Sequence, residues 1–134
     1  MSVEFMKMLL ANLDQAMAHL REVKQYRGHP LYPEGLTNRF RLAYETIKTL
    51  LIHYLQYREV KKPVFHGELL ELGMQLELLP KNSAWHDMLA DRNSLTHEYS
   101  PPDFLEICEA IEQRYNNLLE ISHANFTREI SKLN

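Results

Sequence analysis

Cysteine is nearly absent from this chain: Cys108 stands alone among 134 residues. One thiol excludes an internal disulfide and fits a reducing compartment, so a cytoplasmic location is expected, with Cys108 as a small buried hydrophobe. Glycine is scarce too, with four residues spread along the chain. That leaves no glycine-rich loop to cradle a phosphate and no nucleophile elbow, which excludes those two enzyme classes. Histidines are more numerous, seven in all, but none stands three or four positions from another, and there is no Cys-x-x-Cys. No metal site is therefore expected. Glu120 and His123 have the Glu-x-x-His spacing of di-iron bundles, but in a single copy, and read as a solvated helix face.

Long apolar runs are missing as well. No stretch approaches the ~20 apolar residues of a membrane span. The first residues, MSVEFMKMLLANLDQAMAHL, carry acidic side chains and lack a signal-peptide core. Neither secretion nor membrane embedding is expected. An excess of basic charge is also lacking: the net charge is −3 and the pI about 6.2, too acidic to coat nucleic acid by bulk attraction. Any nucleic-acid contact has to be local.

What the sequence does have is apolar residues at helical spacing. Met6, Leu9, Leu13, Ala16, Leu20 and Val23 form one stripe between Phe5 and Tyr26. The prolines and glycines of RGHPLYPEG break it, after which Phe40, Ala43, Tyr44, Ile47, Leu50, Leu51, Tyr54 and Leu55 repeat the period. Lys61-Lys62-Pro63 and Gly67 punctuate again, and Leu69, Leu72, Leu76 and Leu79 mark a shorter third helix ending at Pro80. Asn82 or Ser83 can cap a fourth helix, predicted to end at Tyr99 because Ser100 precedes proline. Ser100, Pro101 and Asp103 read as the cap, first position and third position of a long last helix carrying Phe104, Ile107, Cys108, Ile111, Tyr115 and Leu118. Residues 1–134 are expected to form one domain, an all-α, antiparallel up-and-down bundle of four to five helices.

The chemistry concentrates in DRNSLTHEYSPPDF, Asp91 to Phe104. On the fourth helix Trp85, Met88, Leu89 and Leu95 are apolar, and position 92, seven from both Trp85 and Tyr99, falls on their stripe yet is arginine. A guanidinium facing a core or an interface must be paired or solvated. Two readings follow: Arg92 pairs with a carboxylate on a neighbouring helix, Glu45 being best placed, or it lines a groove and holds an anion. Asn93 and His97 stand four apart, where the amide can fix the imidazole tautomer, and histidine exchanges protons near neutral pH. The start of the last helix, with free N–H groups and a positive dipole end, favours a phosphate close by. Together these groups suit phosphodiester chemistry. On an ideal helix Arg92 and His97 point about 140° apart. Their convergence requires the break before Pro101, the reach of Arg92, or a symmetric dimer.

Arg92, four residues, His97, one residue and Tyr99, with Asn93 after the arginine, resemble the signature of the HEPN family, the higher-eukaryote and prokaryote nucleotide-binding domains. NRFRLAYETIKTL (Asn38 to Leu50), LLELGMQLELL and WHDMLADRNSLTHEY are similar to its nucleotidyltransferase substrate-binding branch, and the resemblance runs from about Arg39 to Ile111. It implies a HEPN-like bundle that forms a homodimer in which two motifs face one cleft. It also implies a metal-independent endoribonuclease toxin, without cofactor, in which Arg92 and His97 are catalytic. The RNA substrate's own 2′-OH would be the nucleophile, with His97 as general acid or base and Arg92 stabilising charge in the transition state. A cognate minimal nucleotidyltransferase is the implied partner, silencing the toxin by transferring AMP to Tyr99. Arg39, Glu45 and Asn93 would position the catalytic pair. One departure is Lys48, where relatives often carry tryptophan. The rival expectation, which the acidic net charge favours, is a non-catalytic subunit that docks on the nucleotidyltransferase and presents substrate.

Overall fold

Ser2 opens the first helix, its hydroxyl accepting the Phe5 amide at 3.1 Å, with Glu4 in the first turn facing the positive dipole end. The computed structural model describes residues 2–61, 63, 65–97 and 99–133. Lys62, in the predicted break before helix three, and Glu98, in the predicted end of helix four, lie outside the described residues. Helix α1 (Val3–Glu22) turns its predicted stripe inward, together with Met17, and tightens into a 3₁₀ turn at Val23–Tyr26. After a turn at Gly28, whose φ of 89° suits glycine, α2 (Tyr32–Tyr57) begins with Pro33 in its first turn, where a missing N–H costs nothing. The two helices run antiparallel. Phe5 meets His53 edge-on at one end, with ring centroids 5.2 Å apart, and Arg39 donates to the His19 carbonyl at 2.7 Å near the other.

Helix α3 (His66–Gln75) stops before the predicted boundary at Pro80. Glu77 adopts φ 60°, and the amides of Leu78 and Leu79 both turn back to the Gly73 carbonyl. This turn, rather than a helix, carries Leu79 into the core and leaves Leu76 exposed. Helix α4 (Ala84–Ser94) is capped by Asn82, whose side chain accepts the Ala84 amide at 2.8 Å, while Ser83 makes no cap bond. Trp85 is fully buried and donates its indole N–H to the Pro80 carbonyl at 2.9 Å, so one side chain both fills the core and ties α4 to its loop.

The last helix is one rod in three parts: α5 (Pro101–Ala110), a π turn at Ile111–Tyr115, and α6 (Asn116–Ser131). Ser100 caps it as the sequence indicated, accepting the Asp103 amide at 3.2 Å. The π turn sends both Ile111 and Tyr115 inward to zero exposure. The rod runs parallel to α2, with Phe40 stacked on Tyr115 and Tyr54 edge-on to Phe126. It is antiparallel to α1: Arg21 grips Glu120 through Nε and Nη2, at 2.9 and 2.7 Å, while His123 joins Arg21 at 3.1 Å and Asp14 at 2.6 Å. Glu120 and His123 are thus not the expected solvated face. An arginine can only donate, so His123 accepts at Nδ1 and its Nε2–H donates to Asp14, clamping α6 to α1.

The result is an all-α bundle, and among the described residues there is no strand. Every helix contributes to one continuous buried cluster. Cys108 belongs to it; burial, with Glu112 and Glu34 adding, pushes its thiol up to about 11, so it is inert at neutral pH. No described helix is long and apolar enough to cross a membrane.

Candidate functional site at the exit of helix four

Helix α4 ends five positions before the predicted Tyr99, for a local reason. Asn93, Ser94 and Thr96 carry side chains that compete for backbone partners. The Ser94 hydroxyl donates to the Ala90 carbonyl at 3.1 Å and that of Thr96 to the Asn93 carbonyl at 2.7 Å. The amides of Thr96 and His97 then reach back only three residues, to Asn93 and Ser94. His97 leaves on this turn, exposed, and its ring makes no hydrogen bond with a described residue. The expected Asn93 to His97 bond does not form, because the two residues no longer share a helical turn. Asn93 instead accepts from Arg92 Nη1 at 2.9 Å.

Arg92 remains inside the helix, largely covered at 22% side-chain exposure, with its Nη2 against Glu45 of α2. Of the two readings of this arginine, the ion pair is the one observed. Glu45 is shared: its other oxygen meets Lys48 Nζ at 2.8 Å. Burial alone pushes the Glu45 carboxyl up, but the Lys48 and Arg92 cations outweigh it and hold the group below its usual range. Lys48 therefore neutralises the carboxylate that Arg92 touches. Arg39 is tied to α1 through the His19 carbonyl, and with Asn38, Arg41, Leu42 and Glu45 it lines a depression of about 380 Å³ on α2.

Tyr99 stands 44% exposed with its ring tilted against Phe104, centroids 5.3 Å apart. It opens on two hollows. One, about 730 Å³, is lined by His97, Tyr99, Ser100 and Asp103, so His97 and Tyr99 share it. The other, about 500 Å³, lies between α4 and α5 and is acidic: Asp87, Asp91, Asp103 and Glu106 line it, opposed by Arg114 alone. Two of those carboxylates are engaged, Asp87 by Arg114 at 3.2 Å and Asp91 by the buried Tyr115 hydroxyl at 2.5 Å. Burial, and after it the bond to Asp91, pushes the Tyr115 phenol up.

The phosphate site expected at the start of the last helix does not form. Pro101 and Pro102 carry no N–H, the Asp103 amide is taken by the Ser100 hydroxyl, and that of Phe104 by the Ser100 carbonyl. The Asp103 carboxylate further opposes an anion there. The spacing of Asp87 with Asp91 and of Asp103 with Glu106, three or four apart on adjoining helices, was a sequence signal for the acidic groove. Asn38, Arg41, Leu42 and Glu45, at i, i+3, i+4 and i+7, likewise marked one face of α2. Among the described residues no group of three or more His, Cys, Asp and Glu side chains is arranged to hold a metal.

Fold and site together define an all-helical protein whose Arg-x4-His-x-Tyr segment leaves a helix beside an acidic groove. Residues 8–127 match the family described as nucleotidyltransferase substrate binding protein like, and the chain belongs to that family. This is the branch the sequence resembled, and the match extends beyond Arg39 to Ile111 in both directions. No curated protein matches the chain.

Proposed function

We propose that the protein is a metal-independent endoribonuclease toxin paired with a cognate minimal nucleotidyltransferase, acting as a cytoplasmic homodimer and silenced by AMP transfer to Tyr99. The observation that carries this reading is the shared hollow of His97 and Tyr99, at the exit of the helix that holds Arg92. The imidazole, exposed and with no hydrogen bond among the described residues, takes the proton of an RNA 2′-OH as its oxygen attacks the adjacent phosphorus, or protonates the departing 5′-oxygen. Arg92 stabilises charge on the phosphoryl oxygens. In this reading the partner joins AMP from ATP to the Tyr99 oxygen and releases pyrophosphate. The added phosphate, in a hollow that already contains Asp103, excludes an RNA backbone by volume and charge.

A second reading, a non-catalytic substrate-binding subunit, draws support from two features: Glu45 already occupies Arg92, and the groove beside Tyr99 is acidic. The deciding experiment is cleavage of total RNA by the purified protein in chelator, beside Arg92→Ala and His97→Ala. Intact mass must establish that Tyr99 is unmodified. Cleavage lost in both variants supports the ribonuclease, whereas an unmodified wild type that cuts nothing replaces it with the second reading.

A further inference from the structure

Arg39 and Arg41 differ from the other arginines near the site. Arg21, Arg27, Arg92 and Arg114 each hold a carboxylate, whereas Arg39 bonds a backbone carbonyl and Arg41 reaches only the Asn38 side chain, at a long 3.4 Å. Both line the α2 depression of about 380 Å³, and its one acidic wall, Glu45, is held by Lys48 and Arg92. Two cations thus hold Glu45 and two more share its depression, on a chain whose net charge is −3. On the far side of α4 the sign reverses, with carboxylates lining the groove beside Tyr99.

We propose that this depression is a second phosphate subsite, in which Arg41 and Arg39 hold the backbone of single-stranded RNA next to the phosphate at Arg92, and that Glu45 is the resident carboxylate the strand displaces. The proposal rests on RNA being the ligand, and it deepens that reading by fixing the strand's course along α2, away from the acidic groove. A guanidinium fork matches phosphate oxygens as well as it matches a carboxylate, so Glu45 occupies Arg92 as a phosphate would. The step of four residues from Arg41 to Glu45 is about 6 Å along the helix axis, on the order of one nucleotide of extended strand. Arg41 has the least to give up, since its bond to Asn38 is long and exposed. Arg39 keeps further N–H donors beyond the one given to the His19 carbonyl.

The test is binding of a fluorescein-labelled single-stranded RNA of mixed sequence to the His97→Ala protein, which holds the RNA uncut, at 50 to 200 mM salt. Removing one phosphate-binding cation should lower the slope of log K against log salt by about 0.7. Adding Arg41→Gln should therefore shrink its own affinity deficit about threefold across that range. Arg39→Gln should do the same, Glu45→Gln should tighten binding several-fold, and Arg128→Gln, on α6, should change nothing. An Arg41→Gln slope equal to the parent's overturns the subsite. So does a fall in binding that only follows a change in molecular mass by light scattering, since Arg41 would then hold an interface between copies. Failure of the ribonuclease reading looks different: an Arg41-dependent slope in a wild type that never cleaves keeps the subsite and removes the activity. No RNA binding at all overturns both.

Discussion

If the Arg92 to Glu45 pair organises this site, the two residues must be energetically coupled, and a double-mutant cycle of Arg92→Ala and Glu45→Gln measures it. Two unit charges near 4 Å attract by about 4 kcal/mol at the effective dielectric of a protein surface. Side-chain exposures of 22% and 36% place the pair at the boundary between surface and interior, so desolvation and side-chain ordering offset most of that attraction. Lys48, 2.8 Å from the other oxygen, keeps Glu45 partly compensated when Arg92 is gone. The expected coupling at pH 7 is about 1 kcal/mol, read from urea midpoints of the four proteins. The pH dependence has a definite sign. Glu45 is held below its ordinary value of 4.5 in the fold, so its contribution is full above that value and is lost as pH falls through the folded-state value. The coupling should vanish in strong acid, and Glu45→Gln should flatten the acid limb of stability. A coupling below about 0.2 kcal/mol at pH 7, or one that survives acidification, would refute the pairing and leave Arg92 free for a ligand from the outset.

Three further outcomes follow from packing and burial. Gly73→Ala gains helix propensity, but its Cβ would lie 2.9 Å from Leu79 Cδ1 and 3.1 Å from Leu51 Cδ2, both on buried leucines, so a net loss of about 1 kcal/mol is expected by urea unfolding. Tyr44 is pushed up to about 12, first by burial and then by Glu45 with Arg92 opposing. Its unfolded form ionises near 10, so stability should hold to about pH 10 and then fall by about 1.4 kcal/mol per unit until the folded phenol ionises. Tyr44→Phe should reduce that slope, as compared by unfolding at pH 9 and 11. His97→Ala should leave the thermal midpoint within about 2 °C, because the ring is exposed and bonded to nothing described, while abolishing RNA cleavage. A large fall in the midpoint would show that His97 supports the fold.

The Arg92 to Glu45 contact also bears on how the proposed enzyme would be controlled. In the free chain the arginine is paired, whereas the histidine ring has no hydrogen bond among the described residues, so the two halves of the motif start in different states. Bringing both to one phosphate requires the strand, or a second copy of the chain, to supply the rearrangement. That requirement is what separates the ribonuclease from the non-catalytic reading, and the RNA cleavage experiment addresses it directly.

Much of the architecture was legible from periodicity. The stripes of α1 and α2 lie in the core as spaced, Ser100 caps the last helix, and position 92 sits on the inward stripe, because a 3.6-residue repeat decides which side chains can be buried together. The pairing of Arg92 with Glu45 was also readable as one of two options, since a covered guanidinium needs a carboxylate. What the sequence could not decide were the helix ends and everything that depends on them. Local side-chain competition at Asn93, Ser94 and Thr96 unwinds α4 early, and so removes His97 from the face it would have shared with Asn93. Successive prolines and a capping serine consume the donors a phosphate would need, although dipole reasoning alone pointed there. Which charges face one another across helices was decided only by packing. His123 lies between Arg21 and Asp14, carboxylates of α4 and α5 share one groove, and Arg39 and Arg41 share another with Glu45. Periodicity specifies the face a residue occupies; only the tertiary arrangement specifies what that face meets.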